Sequence, residues 1–151
     1  MLGEKFSFHG LNLHLPSGWC DITDIEAAEA IPTLAREDGV GALQFSMLWQ
    51  LSGAVSVITA ADIGGIHDEF IKNKGLERLK AIDLRRAVGG VICSGDYKRE
   101  DDFIRVYHHT DGTHVLISTY LYREILRNEQ EVIEADHIVN SIDWPTISDN
   151  K

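Results

Sequence analysis

Seven histidines, two cysteines and twenty-four acids are the side chains of this 151-residue chain with chemical potential. Divalent metals need several imidazoles or carboxylates converging at about 2 Å. The stretch Phe103–Tyr122 supplies two. If Asp111-Gly112 forms a two-residue turn, His109 lies opposite His114 across a hairpin. A third ligand is missing, because Asp111 would point outward from the turn. No His-x-x-x-His, paired-cysteine or Cys-His spacing adds one. His108 falls on the other face of the same strand and reads as a hydrogen-bonded packing residue.

Nucleophiles fare no better. Cys20 beside Trp19 and Cys93 within Val91-Ile92-Cys93 have the setting of buried thiols, which behave as small hydrophobes. Ser94-Gly95 lacks the Gly-x-Ser-x-Gly elbow. Gly39-Val40-Gly41, Gly64-Gly65 and Gly89-Gly90 lack the spacing of a phosphate-binding loop. Asp21–Glu26 starts like a calcium loop but has neither its glycine nor its later glutamate. No catalytic residue, metal or cofactor is therefore expected.

Charge points elsewhere. The formal net charge is −10 and is unevenly placed: residues 1–69 hold ten acids against two bases, residues 70–151 fourteen against twelve. Nucleic-acid binding needs Lys and Arg to replace phosphate counterions, so an acidic half argues against it. It suits a basic partner, since complementary fields speed encounter, although solubility alone would also favour net charge. Asp21, Asp24, Glu26, Glu29, Glu37 and Asp38 fall within eighteen residues that contain a single base, Arg36. A second candidate surface is the hairpin face carrying Arg105, Tyr107, His109, His114, Tyr120 and Tyr122. Tyr and Arg are enriched where partners bind, because they desolvate large area while keeping a polar handle. Whether that face is open or covered by the last helix is left undecided by the sequence.

The elements that position these residues follow from periodicity. Residues 5–15 alternate as a strand whose apolar parity shifts at His9-Gly10, marking a turn or bulge. Trp19–Thr23 and Thr33–Arg36 are short strands, with Trp19 a core anchor. Ala42–Gln50 alternates with Leu43, Phe45, Met47 and Trp49 on one side, and residues 51–58 form an apolar loop. Thr59 caps a helix with Ile63, Ile66, Phe70 and Ile71 on one face, ending near Gly75. Gly64-Gly65 within it suggests close packing on a sheet. Residues 79–94 hold one or two strands, and Asp96–Asp102 is a charged connection into the hairpin. There, Ile104, Val106, His108, Val115, Ile117 and Leu121 share the core face. Asn128 caps a final helix with Glu131 at capping-box spacing and a stripe of Val132, Ala135, Ile138, Val139 and Ile142. This order predicts α+β: a twisted antiparallel sheet with helices packed on it, in a single domain, residues 1–151.

Two stretches resemble a known family. Phe8-His9-Gly10, continuing to Leu13-His14-Leu15-Pro16-Ser17-Gly18-Trp19, resembles the "Phe-x-Gly … Ile-Pro-x-Gly-Trp" opening of the PsbP-like proteins. That family includes photosystem accessory proteins, Ran-binding relatives and many small bacterial proteins. Ile138-Val139-Asn140-Ser141-Ile142-Asp143-Trp144 is similar to its closing "Ile-Val-x-Ser-Ile/Phe". The matches cover about a third of the chain and are packing motifs. The resemblance implies an α/β/α sandwich and, for its members, mostly non-catalytic binding or assembly roles. No photosystem-specific or Ran-binding residue set is matched, so no site residue is carried over.

The sequence thus favours a non-catalytic module binding a basic protein, in its specific form an immunity-type protein neutralising a toxin or secreted effector. The alternatives are an assembly or chaperone-like accessory protein and a metal-dependent enzyme using the hairpin histidines. No basic segment leads into an apolar one at Met1–Phe6, and no apolar run reaches the roughly 20 residues of a membrane span. A cytoplasmic location without membrane contact is expected.

Overall fold

The computed structural model describes residues 4–27, 30–48 and 57–144. Glu29, Trp49-Gln50 and the expected loop over 51–56 lie outside the described residues. Alternating residues in β1 (Glu4–Phe8) and β2 (Leu11–Leu15) form a hairpin on His9-Gly10. Both turn residues have positive φ, 48° and 87°, as a two-residue type I′ turn requires. The parity shift at this point is a full chain reversal.

The strands that follow are β3 (Trp19–Asp21), β4 (Thr33–Arg36) and β5 (Gly41–Leu48). Helix α1 (Ala60–Lys74) comes next, then β6 (Glu77–Arg78), β7 (Asp83–Ala87), β8 (Gly90–Arg99), β9 (Asp102–Thr110) and β10 (Val115–Arg123). A short 3₁₀ turn, Glu124–Leu126, leads into α2 (Glu129–Asn140). The sheet runs in the order β3-β4-β5-β10-β9-β8-β6, with β7 also on β8, and every pairing is antiparallel.

Each helix takes one face. Thr59 caps α1 through a reciprocal box with Asp62, and Gly75 closes it with φ 64°. Ile63 packs with Cys93 and Val115, while Phe70 and Ile71 pack with Tyr97, Ile104, Val106 and Ile117. Among the described residues a Cβ at Gly64 or Gly65 would meet nothing within 4 Å, so these glycines do not serve close packing there. On the opposite face α2 lays Val132, Ala135, Ile138 and Val139, with Ile142 beyond its end, against Phe103, Tyr107, Leu116, Tyr120 and Tyr122. The β1–β2 hairpin adds Phe8, Leu11 and Leu13 to that core. The result is the expected α+β architecture, helices on both sides of an antiparallel sheet. Among the described residues no helix is long and apolar enough to cross a membrane.

Two local readings are corrected. The β9–β10 turn has four residues, since Thr110 pairs with Val115 and His109 with Leu116. Asp111 does not take the positive φ of a type I′ turn. Its carboxylate instead accepts from the amides of Thr113 and His114 at 2.9 and 2.8 Å. The slip from the expected register is two residues, a full side-chain period, so the faces are unchanged. Second, Asp96–Arg99 is not a connection but the end of β8, with only Glu100-Asp101 between the strands. Asp96 is tolerated there because the ladder sets it opposite Arg105.

Candidate partner-binding surface

β3 is the edge of the sheet, and the segment after it returns to β4 through local hydrogen bonds. Thr33 donates its amide to the Thr23 hydroxyl at 2.9 Å, and Ile22 donates its amide to the Thr33 carbonyl at 2.9 Å. Asp24 accepts from the Glu26 amide at 3.1 Å. Asp21 accepts from the Thr23 amide and hydroxyl and lies 3.7 Å from His9 Nε2. Partial burial pushes the Asp21 carboxyl up, but those hydrogen bonds and His9 outweigh it and hold it below the usual carboxylate value.

Asp21, Asp24, Glu26, Glu37 and Asp38 are all exposed. They form two groups along one edge. Glu37 and Asp38 sit at the Gly18 end of the β3–β4 pair, with Asp38 accepting from Arg36 Nε at 3.0 Å. Asp21 faces Leu34, three residues along the strand and therefore about 10 Å away. Between the acids the segment exposes apolar surface: Ile22, Ile25 and Ile31 are 52%, 82% and 47% accessible.

An open cleft of about 350 Å³ adjoins this segment. Phe8, Leu11, Phe45 and Leu116 line it together with Ile31 and Pro32, and His9 stands at its wall. The Phe8 and Phe45 rings meet edge-on at 5.3 Å. Because His9 lines the cleft and contacts Asp21, apolar hollow and acidic rim are contiguous.

The hairpin face is different from the surface proposed for it. Tyr107, Tyr120 and Tyr122 are buried beneath α2 and His109 is buried against Trp144, so all four are unavailable to a partner. The reason is the helix stripe, which needs an apolar sheet face that the rings supply, while the Tyr107 and Tyr120 hydroxyls and His109 Nε2 find partners inside; the Tyr122 hydroxyl has none among the described residues. Tyr107 donates to Asp136 and Tyr120 to Glu131. Trp144 Nε1 donates to His109 Nε2 at 3.4 Å, and burial takes the His109 imidazole down to about 4. His114 is half-buried, stacked on Trp144 at 5.6 Å with Nδ1 3.1 Å from Asp111. Since His109 pairs with Leu116, the opposed histidine pair considered for a metal does not form. Among the described residues no group of three or more His, Cys, Asp or Glu is placed to hold a metal ion.

Arg105 belongs to a charge network, not to an open surface. It grips Asp96 with Nε and Nη2 at 2.6 and 2.9 Å and reaches Asp136 with Nη1 at 3.2 Å. Burial alone would lower the guanidinium, but the Asp96 and Asp136 carboxylates raise it. Lys80 and the Arg85–Asp83 pair complete a polar pocket of about 230 Å³ whose charges are balanced internally.

Three features escaped the sequence reading. Glu131 does not complete a capping box at the start of α2. Asn128 accepts from the Glu131 amide, while the Glu131 carboxylate accepts from the amides of Val40 and Gly41 at 3.1 and 2.8 Å. Glu134 accepts from Trp19 Nε1 and Arg36 Nη1, each at 2.7 Å, tying α2 to β3 and β4. The third is a buried chain in which His67 Nδ1 meets His108 Nδ1 at 2.8 Å and His67 Nε2 meets the Tyr97 hydroxyl at 2.6 Å. Its signal was present, for Ile63, His67 and Ile71 are spaced by four on the apolar side of α1.

No family model matches the chain, and no curated protein matches it significantly. Solved structures do. The cyanobacterial PsbP protein (CyanoP) of Synechocystis sp. PCC 6803 superposes with a TM-score of 0.61 at 14% identity, covering 94% of this chain and 92% of that one. A protein of Bacteroides thetaiotaomicron VPI-5482 superposes with a TM-score of 0.54 at 14% identity over 98% of this chain. The chain spans half the length of that protein. At such identity the likeness speaks to architecture alone: the chain has a PsbP-like fold.

Proposed function

We propose that this protein is a non-catalytic binding module whose β3–β4 edge docks a basic protein partner. The observation that carries the reading is the edge itself, where five exposed carboxylates surround three exposed isoleucines. Charge draws and orients a basic partner, and the apolar side chains supply area that can be desolvated on contact. In its specific form the partner is a basic toxin or secreted effector that this chain neutralises as an immunity-type protein. An assembly or chaperone-like accessory role is the second reading, favoured by the PsbP-like fold.

The test is affinity purification of tagged protein from its native organism at low and moderate salt, with an Asp21→Lys, Asp24→Lys, Glu26→Lys variant in parallel. A basic protein retained at low salt, weakened by moderate salt and lost from the variant is the expected result. Equal retention by the variant would overturn the acidic-edge reading.

A further inference from the structure

We propose that the cleft beside the His9-Gly10 turn is an anchor pocket that receives one aliphatic or aromatic side chain from a basic segment of the partner. The inference rests on the acidic-edge reading above and specifies how that edge would be engaged. The cleft is about 350 Å³ and open to solvent, room for one large side chain and too little for a packed helix. Its floor is built of Phe8, Leu11, Phe45 and Leu116, all buried residues of the core, so the hollow is held by the sheet and the β1–β2 hairpin. Such preformed apolar hollows within a polar rim are where binding energy concentrates.

The chemistry of the occupant follows from the mouth. Ile31 and Pro32 form one wall, and Ile31 is 47% exposed. His9 lines the cleft with its Nε2 3.7 Å from Asp21, while Asp24 and Glu26 follow on the same segment. An apolar group entering here brings its neighbours over carboxylates. Lys or Arg flanking the anchor is complementary; Asp or Glu is repelled. A second copy of this chain would set acidic rim against acidic rim, and an anionic lipid surface would meet the same repulsion.

The test uses the full chain, isotope-labelled for NMR, titrated at low salt with the synthetic peptides Lys-Lys-X-Lys-Lys where X is Leu, Phe or Ser. Leu and Phe peptides should shift Phe8, Leu11, Ile31, Phe45 and Leu116 resonances and bind about ten- to a hundred-fold tighter than the Ser peptide. That range corresponds to burying one large apolar side chain. Ile31→Ser, a change at an exposed position, should bring the Leu peptide close to the Ser peptide. Equal affinity for all three peptides, or shifts confined to another surface, would overturn the anchor pocket and leave the acidic edge standing. Failure of every peptide to bind, or unchanged binding by the Asp21→Lys, Asp24→Lys, Glu26→Lys variant, would overturn the acidic-edge reading and the anchor with it.

Discussion

His67 on α1 and His108 on β9 meet through their Nδ1 atoms at 2.8 Å, with both rings inaccessible to water. Two such nitrogens can share only one proton, so one ring donates and the other, which accepts, is neutral; burial disfavours the charged form of both. Tyr97 completes the chain at His67 Nε2, whereas His108 Nε2 has no hydrogen-bond partner among the described residues.

This arrangement predicts acid sensitivity. Burial pulls His67 down to about 4 and His108 to about 3, with Asp68 opposing the first shift and His67 reinforcing the second. His109, against Trp144, is drawn to about 4 in the same way. Their ordinary value is 6.5, so between there and the folded values the unfolded chain binds more protons. Their contribution is fully present above about pH 6.5 and is lost as pH falls toward 4. Each neutral histidine should add about 1.4 kcal/mol per pH unit to the slope in that window. Denaturation at pH 6 and pH 5 measures it. His67→Gln, which keeps hydrogen-bonding capacity but does not titrate, should remove about a third of the slope; an unchanged slope would refute the assignment.

A second prediction concerns Glu131, whose buried carboxylate takes donors from two backbone amides and from Tyr120. Glu131→Ala strands those donors and should cost about 3 kcal/mol in urea denaturation; Glu131→Gln should cost less, because its amide oxygen still accepts. The β4–β5 turn is fitted to this carboxylate. A Cβ on Gly41 would lie 2.7 Å from the Tyr120 hydroxyl, and one on Gly39 would collide with Glu131. Gly41→Ala should therefore destabilise as well, and a neutral result would show that the turn can shift.

Arg105 supplies a third. With Asp96 buried and gripped by two guanidinium nitrogens, Arg105→Ala leaves its carboxylate facing the exposed Lys80 at 3.5 Å and should cost about 3 kcal/mol. The double variant Arg105→Met, Asp96→Asn should recover much of the loss. If Arg105→Ala leaves Tm unchanged, the pair is not a structural element of the sheet.

These cases mark what the sequence could reveal. The α1 caps at Thr59 and Gly75 and strand β4 depend on residues close in sequence, so local pattern located them. The hairpin faces survived a misread turn because the slip was a whole period. Asp96 was misread because its pairing with Arg105 depends on the β8–β9 register, and Glu131 because the Val40 and Gly41 amides lie some ninety residues away and come close only by folding. The same holds for the tyrosine face, since rings with a polar tip serve equally at a partner interface and beneath a helix that carries acids. The exposed acids needed no such information, because a run with one base among six carboxylates has few ways to be neutralised internally.

The final prediction separates binding from folding at the edge. Asp24, Glu26 and Ile25 are exposed, and Ile25 is 82% accessible. Asp24→Lys, Glu26→Lys and Ile25→Ser should each leave stability within about 0.5 kcal/mol of the parent. Asp21→Lys should cost more, because its carboxylate organises Thr23 and through it the amide of Thr33. Partner affinity should follow a different pattern, falling with every charge reversal whether or not stability falls, more steeply at low salt than at moderate salt. Paired thermal melts and binding titrations on the four variants decide it. If affinity falls only where stability falls, the acids maintain the loop and the docking surface lies elsewhere.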